Sequence, residues 1–317
     1  MVEQKIRNSM NDNMNSNIEF ADSITKLKIK KDAIILAHNY QIGEVQDIAD
    51  FVGDSLQLST IASKTKSKII VFCGVRFMAE TAKILSPQKK VLLPDASSGC
   101  PMADMINASQ LKELKNKYPD AVVVCYVNST AEVKALSDIC CTSSNAVDIV
   151  KSIPKNKKII FIPDKYLGSY VQNQTEREII LWNGYCPAHV LINVKNIIKL
   201  KKEHLDAVVI IHPECTPDVI NIADKIASTG GIINYVKKSS KKEFIIGTEN
   251  GIIHRLKKEN PDKIFYSASK QANCLDMKLI NLEKLLWALE EEKYEIKLPD
   301  KILTGAKTAI DKMVGIA

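Results

Sequence analysis

An α/β fold of three αβα sandwiches, each with a parallel sheet and all converging on one centre, is what the sequence predicts. The first observation is a repeated ruler: His38, Ser55, Cys100; then Tyr126, Ser143, Cys186; then His212, Thr229, Cys274. The first two marks are 17 residues apart each time, and the cysteine follows the first mark by 62, 60 and 62 residues. The second is the apolar run before each first mark: Ala33-Ile-Ile-Leu-Ala-His38, Ala121-Val-Val-Val-Cys-Tyr126 and Ala207-Val-Val-Ile-Ile-His212. The third is the alternation of such Val/Ile runs with helical spacing, which implies parallel strands buried on both faces. A period of about 87 residues is too long for a solenoid and suits a small domain.

Residues 1–20 are polar and Asn-rich and read as a flexible or helical extension without a catalytic role. The first unit, 21–107, opens on the strand that ends at His38; the stretch from Glu44 to Asp50 follows with an acidic start and helical spacing. In the second, 108–195, a strand is expected over 121–127 and a helix over 130–136 capped by Ser129 or Thr130. A further helix is expected over 143–150, a strand over 158–162, and a last short strand within 174–182. The third, 196–277, repeats the strand to His212 and the acidic helix start at Asp218. In the tail, 278–317, Leu282, Leu285, Leu286 and Leu289 share a helical face, and a second helix is expected near 301–313; both suit helices that pack back on the first domain or an interface.

Composition narrows the function. Of 317 residues, 45% are hydrophobic and 26% charged, as in an ordinary globular protein with a core. Forty-four basic against 37 acidic residues give +7, which suits an enzyme for anionic metabolites or a weak nucleic-acid binder. The lysines are scattered without aromatic interleaving, which reads as a solvated surface and not a nucleic-acid site. No run approaches a membrane span and residues 1–20 carry no secretory h-region, so a cytoplasmic protein is expected. Its eight cysteines are then reduced, and none forms a C-x-x-C pair.

The repeated marks point to chemistry. In open parallel sheets ligands bind beyond the carboxyl ends of strands, where His38, Tyr126 and His212 fall. Ser55, Ser143 and Thr229 fall at or beside the start of a following helix, where a hydroxyl and free backbone N–H groups hold anions. One serine at a helix start is ordinarily only a cap; three in register suit substrates with three anionic groups. Cys73, Cys125, Cys140 and Cys141 lie in apolar runs and read as packed thiols. Cys215 beside Glu214 is ambiguous. Cys100, Cys186 and Cys274 lie in loops rich in turn formers. Three such thiolates could hold zinc with an open position or an iron–sulfur cluster one ligand short. Zinc is the less attractive, because only His189 lies near any of them.

Several linked motifs carry a resemblance: Ala37-His38-Asn39-Tyr40-Gln41, Gly53-Asp54-Ser55, Gly99-Cys100-Pro101-Met102-Ala103, Tyr126-Val127-Asn128-Ser129, Cys141-Thr142-Ser143-Ser144-Asn145, Pro163-Asp164-Lys165-Tyr166-Leu167-Gly168, His212-Pro213-Glu214-Cys215 and Ser228-Thr229-Gly230. In order and spacing, over roughly 20–315, the chain resembles the quinolinate synthase family of de novo NAD biosynthesis. The resemblance implies a pseudo-threefold arrangement of the three units around a 4Fe-4S cluster held by Cys100, Cys186 and Cys274. One iron is left open as a Lewis acid toward substrate. It implies condensation of iminoaspartate (iminosuccinate) with dihydroxyacetone phosphate to quinolinate, phosphate and two waters. An L-aspartate oxidase is the transient partner it brings into view. It implies substrate contacts at His38, Ser55, Tyr126, Val127, Asn128, Ser143, His212, Pro213, Glu214 and Thr229. Tyr40, His38, Tyr126, His212 and Glu214 are then available for proton transfer, with Glu214 as the main acid or base and Tyr40 on the triose side. The Cys-x-x-Cys-x-x-Cys run of some relatives is absent, since residues 267–274 hold one cysteine. The rival readings are an electron-transfer or redox-sensing iron–sulfur protein, which leaves the three hydroxyls unexplained, and a structural zinc protein.

Overall fold

The structure is a computed structural model that describes residues 2–315, with side chains from residue 16 onward. Its strands form three separate four-stranded sheets, all parallel. The first holds β1 (Ala33–His38), β2 (Phe51–Gly53), β3 (Ile69–Cys73) and β4 (Lys90–Leu92). The second holds β5 (Val122–Tyr126), β6 (Ile139–Cys141), β7 (Ile159–Ile162) and β8 (Ile179–Leu181). The third holds β9 (Val208–Ile211), β10 (Lys225–Ile226), β11 (Glu243–Gly247) and β12 (Ile264–Ser267).

Strand order is the same in each: β2-β1-β3-β4, β6-β5-β7-β8 and β10-β9-β11-β12. The first strand of each set is therefore flanked by the second and the third, with Leu36 opposite Phe51 on one side and Ala33 opposite Ile69 on the other. The chain leaves to one side and returns on the other, and a crevice opens where first and third strands end. Parallel neighbours need crossovers, and helices supply them on both faces. Burial follows the composition: all six residues of β1 and all four of β7 are buried, as doubly covered strands require.

One continuous apolar core joins the first two sheets and the tail. The third sheet has its own clusters, one on each face. Its outer attachment to the first sheet is polar: Arg255 Nη1 donates to Asn39 Oδ1 at 2.9 Å and to the Val52 carbonyl at 2.7 Å, and His254 Nε2 lies 3.0 Å from Asp47. The N-terminal segment is helical, Val2–Lys30, and buries Ile24. Helix Leu282–Glu291 packs on that helix and on β3, burying the four expected leucines; helix Asp300–Val314 packs on helix Ala131–Ala135 and β6. Among the described residues no helix is long and apolar enough to cross a membrane.

One local expectation differs. The helix expected over 143–150 is Ala146–Ser152; Asn145 Oδ1 accepts from Thr142 N at 2.8 Å, so Ser143 lies in a turn before it. The last strand of the second sheet, Ile179–Leu181, falls within the expected 174–182; Asp164 caps the helix before it, Lys165–Thr175, through the Tyr166 and Leu167 N–H groups. The short edge strand β6 carries Cys140 and Cys141, whose apolar run of three residues is too brief to show a period.

Candidate active site

The carboxyl ends of all three sheets face one cavity, and its lining includes His38, Tyr40, Ser55, Cys100, Tyr126, Asn128, Ser143, Cys186, His212, Glu214, Thr229 and Cys274. Val127 and Pro213 are buried behind that lining. Cys215 is buried too, its thiol 3.7 Å from the Gly247 carbonyl oxygen, outside this cavity.

The convergence of the three hydroxyls has a local cause. Asp54 caps helix Ser55–Lys64 and Ser228 caps helix Thr229–Lys238, so Ser55 and Thr229 occupy first helical positions, not the caps themselves. The caps meet: Ser144 Oγ lies 2.9 Å from Ser228 Oγ and donates to Asp54 Oδ2 at 3.4 Å. Each hydroxyl mark neighbours one member of this trio, and positive helix ends thus face the cavity from two sides. Burial raises the Asp54 carboxyl above its ordinary range.

The strand-end residues interlock across the sheets. Tyr126 OH donates to Glu214 Oε1, and Glu214 Oε2 lies 3.0 Å from His189 Nδ1. His189 Nε2 lies 2.9 Å from Thr248 Oγ1, whose other neighbour at 2.7 Å is Tyr40 OH; Tyr40 OH also lies 2.9 Å from Thr229 Oγ1. His212 Nε2 lies 3.2 Å from Ser143 Oγ, and the His189 and His212 rings stack with centroids 4.7 Å apart.

Two imidazoles have their tautomer set by the backbone. Tyr40 N–H donates to His38 Nδ1 at 3.2 Å and Glu214 N–H donates to His212 Nδ1 at 3.3 Å, which places the proton of each neutral ring on Nε2; that of His212 faces Ser143 Oγ. Burial pushes His38 down to about 3, with Lys278 adding to it, and burial pushes His212 down to about 3 against the pull of Glu214. Burial likewise raises the Tyr40 and Tyr126 phenols, and Glu214 adds to both. Burial opposes charge on Glu214, yet the His189 imidazole, then His212 and the Tyr126 hydroxyl, outweigh it and hold the carboxyl below its ordinary range. The site thus holds a carboxylate together with two neutral imidazoles, His38 and His212, and two neutral phenols.

Linkage gives these histidines a test. Their folded values lie below the ordinary 6.5, so their contribution to stability is complete above pH 6.5 and is lost as pH falls toward about 3. Each costs about 1.4 kcal/mol per pH unit in that window. Because the raised Asp54 and Asp164 act with the opposite sign, the readout is the difference between wild type and His212→Asn in urea melts from pH 6.5 to 4.5. A smaller slope is expected in the variant, and parallel slopes would contradict it.

The three cysteines share a second repeat. Each precedes a single 3₁₀ turn, Ala103–Met105, His189–Leu191 or Asp276–Leu279, and the backbone N–H three residues on donates toward each sulfur: Ala103 to Cys100, His189 to Cys186, Met277 to Cys274. N–H donors of this kind favour thiolate and tune metal–sulfur centres. Burial nonetheless raises all three thiols, Cys274 to about 11, so thiolates here call for a cationic partner. Donor set and burial fit a metal–sulfur group. A smaller set also exists: Cys186 Sγ, a His189 nitrogen and a Glu214 oxygen lie within 4.8 Å of one another.

His189, Thr248 and Glu249 were not singled out from the sequence as catalytic. Thr248 and Glu249 directly follow β11, so the strand-end rule that selected His212 also selects them once β11 is placed. Glu249 is fully buried, accepts from Cys274 N at 3.1 Å and pairs with Lys278 at 2.9 Å. Tyr40 depends on Gly251, where a Cβ would lie 2.7 Å from the Tyr40 backbone. Gly251→Ala is expected to cost about 1–3 kcal/mol by overpacking and to lower kcat by displacing the phenol; Gly315→Ala, whose added Cβ meets only ordinary contacts beyond 3.4 Å, is the control. Unchanged kcat in Gly251→Ala would contradict it.

Three repeated α/β units around a buried, thiol-bearing cavity with acid–base side chains define the class: an enzyme-like protein whose single site is shared by its units. The quinolinate synthetase A protein family model matches residues 22–315. A quinolinate synthase of Thermodesulfovibrio yellowstonii is 54% identical over 294 residues, 92% of this chain and 97% of its own. One from Dehalococcoides mccartyi (strain CBDB1) is 53% identical over 293 residues, with 92% and 97% covered. One from Methanosarcina barkeri is 51% identical over 298 residues, with 94% and 98% covered. The chain belongs to the quinolinate synthase family, enzymes of NAD biosynthesis.

Proposed function

We propose that this protein condenses iminoaspartate with dihydroxyacetone phosphate to give quinolinate, phosphate and two waters. The observation that carries the proposal is the convergence, in one cavity, of three thiols, three helix-start or turn hydroxyls and the Glu214–Tyr126–His189 group. Cys100, Cys186 and Cys274 would hold a 4Fe-4S cluster, which when bound supplies one iron without a protein thiolate as a Lewis acid for a carbonyl or departing hydroxide. The balance of the reaction is redox-neutral, so no electron need leave or enter the protein.

The chain's own groups cover the rest. The substrates bring two carboxylates and one phosphate, and Ser55, Ser143 and Thr229, with adjacent backbone N–H groups, suit those three anions. His38 and His212 are neutral and line the cavity; His38 would donate from Nε2–H to a substrate oxygen, and His212 would hold Ser143 Oγ toward the anion that hydroxyl binds. Glu214 is the proton acceptor, and Tyr126, bonded to it, and Tyr40 are the donors, roles that rest on their places in the cavity. Imine formation, enolisation, ring closure and dehydration each need such a transfer. Asn128, whose buried Oδ1 has no partner in the described residues, lies ready for a substrate N–H or O–H. Val127 and Pro213 would act through the backbone positions they fix. A transient L-aspartate oxidase contact would deliver the unstable iminoaspartate.

The test is an anaerobic assay of the reconstituted protein with dihydroxyacetone phosphate and freshly generated iminoaspartate, each omitted in turn. Quinolinate is expected only with both; a brown protein that makes none favours the redox-protein reading.

A further inference from the structure

We propose that Lys134 is a built-in counter-charge for the thiol centre, its ammonium offsetting the negative charge of Cys100, Cys186 and Cys274 when they are metal-bound thiolates. The inference rests on the cluster reading above and concerns a residue that reading does not use. Lys134 lies on helix Ala131–Ala135 with 0% of its surface exposed, among the largest fully buried side chains of the chain. Its Nζ donates to the Phe77 carbonyl at 3.2 Å and to Thr81 Oγ1 at 2.9 Å, both neutral, on helix Arg76–Leu85. The same nitrogen stands 5.3 Å from the centre of the Phe77 ring, and Phe77 lines the cavity together with Cys100.

A buried ammonium ordinarily has a carboxylate beside it. None among the described residues comes within 4.0 Å of this one. The nearest acid in effect is Glu80, and it is committed elsewhere: Arg76 Nε donates to its Oε1 at 3.2 Å and the Ala131 N–H to its Oε2 at 3.0 Å. The Cys125 and Cys140 thiols, paired across β5 and β6, share the pocket, and the Cys100 thiol is close enough for its charge to favour the ammonium. Burial meanwhile pulls the lysine down from its ordinary value. Without negative charge in the cavity the ammonium is a cost to the fold. With thiolates on metal, the ammonium at the Phe77 ring and the charge of Cys100 attract each other in a medium of low dielectric.

The sign of the effect therefore inverts with loading. Lys134→Met, close in volume and without charge, is expected to raise the Tm of the metal-free protein and to speed loss of iron to a chelator from the loaded protein. The cluster's one-electron midpoint should become more negative, because removing a nearby positive charge favours the more oxidised form. A roughly tenfold change in the oxidised-to-reduced ratio, about 59 mV for one electron, is the scale expected of one unit charge. Lys134→Gln, which keeps a donor toward Phe77 and Thr81, should shift the midpoint in the same direction. An unchanged midpoint in both variants, as expected if Glu80 or a Cys125 thiolate already neutralises the lysine, would overturn the proposal. So would metal-free variants that are destabilised or fail to fold, which would make Lys134 a strut between the two helices. A wild type that binds no iron under anaerobic reconstitution fails differently: it removes the cluster reading itself.

Discussion

Replacing Cys100, Cys186 or Cys274 by serine, one at a time, is expected to leave a protein that folds but loses the brown colour of the anaerobic wild type and its quinolinate formation together. The three positions are equivalent: each follows the last strand of its sheet, precedes a 3₁₀ turn, and takes an N–H from the residue three further on. Losing one thiolate from a three-thiolate site leaves two ligands, too few for a cluster that ordinarily has four. Even the loss of a group that only supports a ligand costs 10- to 100-fold in metal affinity as a rule, so a drop to background is expected from loss of a ligand. Cys73→Ser, Cys125→Ser and Cys141→Ser change buried strand positions away from the lining and should retain the colour. A Cys274→Ser protein that keeps both colour and turnover would mean that the third sheet does not contribute to the centre.

Glu214→Gln carries the second largest effect, a fall in kcat of about 10²- to 10⁴-fold, the range for loss of one well-placed proton-transfer group. Glutamine keeps the volume and can still accept from Tyr126 OH, so the fold and the thiol centre should survive. What disappears is the carboxylate that His189 and Tyr126 both face. Tyr126→Phe should cost less, because it removes a donor but leaves the base. Because Glu214 and the two imidazoles are all held below their ordinary values, loss of turnover between pH 7 and 5 should not come from these groups in the folded enzyme. Near-normal turnover of Glu214→Gln with an intact centre would remove Glu214 from the mechanism.

The sequence made the three sheets legible because doubly covered strands are written as unbroken Val and Ile, and because polar residues at their carboxyl ends recur at one spacing. It also showed which cysteines differ, since Cys100, Cys186 and Cys274 sit among turn formers while Cys73, Cys140 and Cys141 sit in apolar runs. Edge strands such as β6 and β10 were not legible; two or three residues cannot establish an alternation. Ser143 was placed at a helix start because it aligns with Ser55, whereas the local Thr142–Asn145 bond delays the helix. The pairing of His189 with Glu214, the meeting of Asp54, Ser144 and Ser228, and the isolation of Lys134 all depend on contacts between sheets. No local pattern encodes such contacts, so only the assembled fold displays them. His189, three residues beyond Cys186, was visible but had no partner until Glu214 arrived from the third sheet.

The most direct test of the central claim counts metal and sulfide per chain in anaerobically prepared protein and measures quinolinate formation on the same samples at several degrees of loading. The account predicts the iron and acid-labile sulfide of one 4Fe-4S cluster per chain, with turnover rising in proportion to loading. Full turnover in a colourless protein holding one zinc, as the Cys186, His189 and Glu214 set alone would allow, would contradict it.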